Sequence, residues 1–468
     1  LTTIFFSISI SIILGLTLNK SENIIYGIIG SILLIIPISE IIIQIMQYIL
    51  GKIIKPKIIP KMDFTNGIDK ENATFVVIPT IVKTREKVRE LARKLEVFYL
   101  ANKSENLYFA ILGDCSESKR EEESFDGEVI ETGIKEIEKL NKKYSKEYPK
   151  FNFIYRKRQW NKQENSYLGW ERKRGYLNQF NQFLLGQEQG NFRINTIPKQ
   201  NMPHIKYVIT LDSDTDLPIE TAAELIGAMA HILNKPIIDE NKNIVIEGYG
   251  IMQPRIGVKL DVSYKNLFTK IFAGQGGTDL YSNAISDVYQ DNFGEGIFTG
   301  KGIYDLNVFN TVMKGSIPEN TVLSHDLLEG CYLRCGLVSD IMLIDDYPSK
   351  YMSHINRLAR WTRGDWQIIK WLKNKQLNVI SKYKIFDNLR RSLLEIATVA
   401  CMAYFIKNKI LIAISLLAIV IPYILEIINY VVFRKEGEKY QKTFIHKVGT
   451  IQGAIYRIAL TIGTLPYK

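Results

Sequence analysis

The hydrophobic positions of this chain follow two patterns. Residues 1–50 and roughly 393–433 are dominated by Ile, Leu, Val and Phe, whereas the stretch between them mixes apolar and charged positions. "TIFFSISISIILGLTL" (3–18) has about the minimum length of a membrane span. "IIYGIIGSILLIIPISEIIIQIMQYIL" (24–50) is longer and carries Glu40, Gln44 and Gln47 on one helical face, a polar stripe that should meet protein or the interface rather than lipid. Two further apolar segments flank "KNK" (407–409). Between about 73 and 385 strand and helix patterns alternate. "TFVVIPT" (74–80) reads as a buried strand, "REKVRELARKLEVFYLAN" (85–102) as an amphipathic helix, and "LYFAILGD" (107–114) as the next strand. "YVITLDSD" (207–214) is another strand, followed by "PIETAAELIGAMAHIL" (218–233), a helix opened by Pro218. This alternation predicts an α/β fold, a mixed, mostly parallel sheet with flanking helices, bordered by transmembrane helices at both ends.

The predicted organisation is transmembrane helices over 1–50, a basic juxtamembrane linker over 51–72, the α/β domain over 73–385 and interfacial plus transmembrane helices over 386–433. A basic stretch and the start of a further membrane-associated segment fill 434–468. "SKREEESFDGEVIETG" (118–133) reads as a charged, solvated insertion without chemistry.

Charge sharpens the membrane reading. The net charge of +11 could suggest nucleic acid, but many lysines sit beside the apolar segments, in "GKIIKPKIIPKMD" (Lys52, Lys55, Lys57, Lys61) and in "FRKEGEKYQK" (433–442). Juxtamembrane lysines mark the cytoplasmic side and favour anionic headgroups. With no zinc finger or other nucleic-acid module present, the lipid bilayer is the better partner. Residue 52 onward is thus expected in the cytosol, with an out-facing turn at "KNK", in a multi-pass protein of the cytoplasmic membrane. A chain that starts at Leu1 and stops at "TLPYK" reads as a piece of something longer. A signal peptide is a poor reading of its start, which lacks a basic leader and meets a second apolar segment after only "NKSEN". The four cysteines (115, 331, 335, 401) form no disulfide or metal pattern, and reduced, buried packing is expected of them.

Candidate chemistry gathers at strand ends. In open α/β sheets ligands bind outside the carboxyl ends of the strands, where Asp114 and the acids of "TLDSDTDLP" (210–218) fall. Asp212 and Asp214, two apart after a strand, suit a divalent cation that takes hard oxygen ligands plus phosphates. One cap cannot employ both. Asp216, just before Pro218 and a helix, reads instead as a cap. "WERKRGYLNQFN" (170–181) places Arg172, Lys173 and Arg174 before Gly175 at a helix start, which suits a phosphate or simply a solvated basic face. "FGEGIFTGKGIYD" (293–305) has four glycines around Phe298, Thr299 and Lys301, either a loop that approaches a ligand or an ordinary hairpin. "LSHDLLEG" (323–330) sets Asp326 in the first turn of a helix, with Ser324 as its cap; the acid either serves the helix dipole or acts as a base. "RLARWTRGDWQ" (357–367) combines three arginines, suited to a diphosphate, with Trp361 and Trp366, either sugar-binding faces or helix packing, the latter reading weighing most for Trp366.

Together an Asp after an early strand, a D-x-D, a later Asp at a helix start and R-x-x-R-W followed by membrane helices resemble the processive family 2 glycosyltransferases such as cellulose synthases. More closely, "GWERKRG", "TLDSDTDLP", "FGEGIFTGKGIYD", "ENTVLSHDLLEG", "GLVSD", "YPSKY" and "RWTRGDWQ", in order from about residue 75 to 372, resemble the glycosyltransferase domain of cyclic β-1,2-glucan synthases, family 84. The resemblance implies a GT-A fold, UDP-glucose as donor, a glucan acceptor, a divalent cation (Mg or Mn) and inversion at the anomeric carbon. It further implies that Asp114 meets the uridine, Lys173 the nucleotide, and Asp212 the nucleotide and metal. Asp214 would be the stronger metal ligand, Asp326 the base, Arg360 the diphosphate ligand and Trp361 the acceptor ligand. Arg357 stands where cellulose synthases have Gln. Long members of the family continue into a phosphorylase-like region beyond the end of this chain.

Three readings follow. The chain is a UDP-glucose β-1,2-glucosyltransferase, a membrane polysaccharide synthase of the same fold with another sugar or linkage, or a non-enzymatic membrane scaffold whose acids bind a structural cation. A glycosidase also uses paired carboxylates, but it would explain neither the basic groups nor the spans.

Overall fold

The computed structural model of the chain describes residues 2–17, 24–187, 191–273, 287–432 and 451–465. Its centre is an eight-stranded sheet formed by β1 (Thr74–Ile81), β2 (Leu107–Asp114), β3 (Phe151–Arg156), β4 (Phe192–Asn195), β5 (Tyr207–Thr210), β6 (Ile251–Val258), β7 (Gly302–Asp305) and β8 (Cys335–Asp345). The spatial order is β8-β6-β7-β5-β1-β2-β3-β4. The pairs β1–β2, β1–β5, β2–β3 and β6–β8 are parallel, and β5–β7, β6–β7 and β3–β4 are antiparallel. The mostly parallel α/β sheet expected from the alternation is present.

Alternate residues of each strand supply the two cores. Val76, Ile78, Phe109 and Ile111 meet Val88, Leu91, Leu95 and Phe98 of the helix Arg85–Ala101. Phe75, Val77, Ala110 and Leu112 face the other side, with Tyr176 and Phe180 of the helix Arg172–Leu184. Both faces being covered, the strands are apolar throughout. Thr84 caps Arg85–Ala101 by accepting from the Lys87 N–H at 3.2 Å.

Register positions the acids. Ile81 of β1 lies opposite Asp114, and Val77 opposite Thr210, so β2 and β5 flank β1 and point their carboxyl ends the same way. Asp114 ends one neighbour, and Asp212 follows the other by two residues.

Several local expectations are corrected. The helix after β5 is Thr221–Ala230, not one opened by Pro218, and its cap position is Glu220 in the left-handed region. Asp216 caps nothing: it pairs with Lys94 at 2.9 Å and Lys259 at 3.0 Å. Nor does Ser324 cap the Asp326 helix, whose cap position is His325 without a side-chain cap bond. The charged run 118–133 is not merely solvated. It opens the helix Asp126–Tyr144, and Asp126 is fully buried in an ion pair with Arg158 while accepting from the Tyr155 hydroxyl at 2.8 Å. All four cysteines are free and buried.

The N-terminal helix Thr2–Thr17 has the reverse of a soluble helix's polarity, and Ile24–Ile53 buries Gly27, Gly30 and Ser31 together with Leu34, Ile38 and Ile43. Thr3, Ser7, Ser11 and Gly15 are buried while Phe5, Phe6 and Ile13 are exposed. A Cβ on Gly15 would come within 2.2 Å of Ser31 Oγ, so small residues let the two helices touch. Glu40 is buried against Arg390 at 2.7 Å and accepts from Gln44, so the polar stripe there meets protein. Ile24–Ile53 and Lys409–Ile428 are the two described helices long and apolar enough to cross a membrane. Leu394–Tyr404 has 11 residues, a length of about 16 Å against a bilayer core of about 30 Å, so two spans do not frame the turn at 407–409. The basic stretch over 434–450 lies outside the described residues.

Candidate active site

A cleft of about 760 Å³ opens at the carboxyl ends of the central strands. That volume suits a small-molecule ligand. Asp114, Lys173, Asp212, Asp326, Arg360 and Trp361 all line it. Of the residues to which the resemblance assigns a role, Asp214 does not. Its half-buried carboxylate is within electrostatic reach of Asp212, Asp345 and Lys301, without a hydrogen-bonding or ion-pairing side chain among the described residues. Burial raises its pKa, and the nearby Asp345 and Asp212 carboxylates add to that against the pull of Lys301.

Asp114 has a partner that the sequence did not reveal. Arg156 Nε and Nη2 donate to its two oxygens at 2.6 Å, and the Cys115 N–H donates at 2.8 Å. Arg156 is 1% exposed and also donates to the carbonyls of Trp170 and Arg172. One guanidinium therefore joins the ends of β2 and β3 to the start of the helix that carries Lys173. Gly169 fits against this pair: a Cβ there would stand 2.3 Å from Asp114 Oδ1.

Of the basic triplet, only Lys173 is committed to the floor of the cleft. Arg172 pairs with Glu164, and buried Arg174 pairs with Glu171. Gly175 serves packing rather than phosphate approach, since a Cβ would lie 2.0 Å from the Trp170 carbonyl oxygen. Lys173 Nζ donates to Asp212 Oδ1 at 2.6 Å and to the Gly300 carbonyl at 2.9 Å. Lys301 stands 3.4 Å from the other Asp212 oxygen and pairs with buried Asp345, which also accepts from Thr215. Burial opposes charge on Asp212, but the two ammonium groups overcome it and lower its pKa to about 2. Burial also opposes charge on Lys173, and Asp212 and Asp326 outweigh it, raising that pKa. Lys301 was visible in its glycine-rich loop but had no role; its partner Asp345, 44 residues away, left no local signal.

The loop 293–305 is not a hairpin. Gly300 adopts φ +90°, and a Cβ on it would come within 2.9 Å of the Asp326 carboxylate. Asp326 itself is 30% exposed to the cleft at the first residue of the helix Asp326–Tyr332. The opposite wall is the helix Tyr351–Gln367. Gly364 allows it to touch Ser324, where a Cβ would be 2.6 Å from that side chain's Cβ, and Gln367 accepts from the Leu323 N–H. Arg357 lies over the Trp361 ring at 4.7 Å. Arg360 and Arg363 are exposed and meet no carboxylate among the described residues, leaving two free cations at the rim. Trp366 is 42% exposed, with its Nε1 donating to Ser392, so it is not a packing residue under the sheet.

The site therefore offers an acid at the base of the cleft, lysines and arginines around it, and an aromatic face at its mouth. No protein-family model matches the chain. The cyclic beta-(1,2)-glucan synthase NdvB of Rhizobium meliloti (strain 1021) is 40% identical to it over 375 residues, which is 79% of this chain and 13% of that protein. The chain is thus homologous, over most of its length, to one segment of a cyclic β-(1,2)-glucan synthase.

Proposed function

We propose that the chain is the sugar-transferring segment of a membrane-bound synthase, an inverting transferase that moves glucose from UDP-glucose onto a growing β-1,2-glucan. The observation that carries this reading is the convergence of Asp114, Lys173, Asp212, Asp326, Arg360 and Trp361 on one cleft in a chain homologous to a segment of a glucan synthase.

Each group has a task. An ionised carboxylate has about four lone-pair positions. Arg156 and the Cys115 N–H take three of those on Asp114, leaving one for a uracil N–H. Lys173 and the free Arg360 face the diphosphate, whose departure requires its charge to be neutralised. Asp326 takes the proton of the attacking hydroxyl, and Trp361 supports the apolar face of the acceptor sugar. Direct displacement needs one base and no covalent intermediate on the protein.

The acids also suit a divalent cation. Asp214 is a half-buried carboxylate with no side-chain hydrogen bond or ion pair among the described residues, and a cation held by one or two carboxylates plus substrate phosphates matches what Asp214, with Asp212, can offer. Such an ion supplies further neutralisation of the leaving diphosphate.

The inside-out polarity of Thr2–Thr17 and the apolar length of Ile24–Ile53 support a membrane site, and the lysines that follow that second helix favour the cytosolic side for the cleft. Membranes carrying the wild-type chain should transfer radiolabelled glucose from UDP-glucose to polymer, and Asp326→Asn membranes should not. Linkage analysis should return 1,2-bonds. Another linkage or donor would select a different polysaccharide synthase, and an inactive wild type would favour a scaffold.

A further inference from the structure

Behind Asp326 lies a polar pair that the proposed transfer chemistry does not use. His325 and Glu329 are 7% and 2% exposed. His325 Nδ1 stands 2.8 Å from a Glu329 carboxylate oxygen and 3.6 Å from Asp326 Oδ1. Both Nδ1 and that Glu329 oxygen are buried without a completed hydrogen bond, so the close contact is off-line and chiefly electrostatic. One atom from each of the three residues falls within a 4.8 Å cluster. Leu177, Thr210, Phe298 and Tyr304 close the space beside them.

A buried glutamate without a hydrogen-bond donor is costly unless a charge compensates it. Among the described residues the cations near this one are His325, at the cap position of its helix, and Lys173, on the helix Arg172–Leu184. Lys173 is already hydrogen-bonded to Asp212 and Gly300. His325 is left as the cation for Glu329, and the same ring reaches toward Asp326. On the other side Gly300 presses against the Asp326 carboxylate.

We propose that His325 and Glu329 are positioning residues for Asp326: the imidazolium, anchored on Glu329, aims the Asp326 carboxylate at the acceptor hydroxyl. Burial disfavours charge on His325, but Glu329 and then Asp326 outweigh it, against a smaller opposing effect from Lys173, and its pKa rises above the usual histidine value. The device therefore works below that raised pKa and fails as pH climbs through it. This inference deepens the transferase reading and rests on it for the role of Asp326.

The test uses the full chain in detergent with His325→Gln, Glu329→Gln and Asp326→Asn. His325→Gln should lower kcat about tenfold or more while leaving the Kd for UDP within about twofold. It should also abolish the alkaline fall in rate that the wild type shows. Glu329→Gln should move that fall to lower pH, because the imidazole loses its anchor. Histidine-labelled NMR gives a readout independent of turnover: the His325 titration should shift down in both Glu329→Gln and Asp326→Asn. If His325→Gln keeps wild-type kcat and pH profile, or if neither acid variant moves the His325 titration, the proposal fails. Zinc-dependent activity that needs His325 would also overturn it, by making the trio a metal site. An inactive wild type would contradict the transferase reading instead, and the NMR titration would still decide the coupling.

Discussion

Gly300 and Asp326 form a mutual fit: one has φ +90° and no side chain, and the other places its carboxylate in the space left. Gly300→Ala adds both backbone strain and a methyl group against the Asp326 oxygens. It should reduce kcat for glucosyl transfer while UDP affinity changes little, which equilibrium binding beside initial rates will show. Asp114 and Arg156 are coupled differently, through a buried bidentate pair. Arg156→Met leaves a buried carboxylate unpaired and should cost about 3–5 kcal/mol in unfolding free energy, measurable by denaturant titration in detergent. Asp212 gives a pH dependence. Its pKa is depressed from 3.8 to about 2, so its pairing stabilises the fold above pH 3.8 and that contribution vanishes as pH falls through about 2. Melting curves across that range should fall more steeply for the wild type than for Asp212→Asn.

At the level of elements, the Tyr351–Gln367 helix carries Arg360 and Trp361 and is seated on the Asp326 loop through Gly364. Gly364→Val should push the helix off Ser324 and cost roughly 1–3 kcal/mol. It should raise KM for donor and acceptor together, because the arginine and the tryptophan move as a unit; steady-state kinetics on both substrates separates this from a loss of one contact. The elements themselves were largely legible. Continuous apolar runs marked the strands Thr74–Ile81 and Leu107–Asp114, and helical periodicity marked Arg85–Ala101, because each pattern is local. Element ends were less so: Pro218 and Asp216 looked like a helix start, but Lys94 and Lys259, distant in sequence, claim the carboxylate. Long-range ion pairing also hid Arg156, Asp345 and the buried role of Asp126, since nothing near each residue announces its partner.

Across the whole molecule, a buried charge cluster joins the apolar helix Ile24–Ile53 to the helix Val379–Ser392 at the end of the α/β domain. Arg390 bridges Glu40 of Ile24–Ile53 and Asp387 of Val379–Ser392. In the proposed reaction one nucleotide sugar fills the cleft between Asp114 and the arginine-bearing helix Tyr351–Gln367. The most direct test is an experimental structure with UDP bound. The uracil is expected beside Asp114 and the diphosphate between Lys173 and Arg360, with Asp326 open to an acceptor. UDP bound elsewhere on the chain, with that cleft empty, would contradict it.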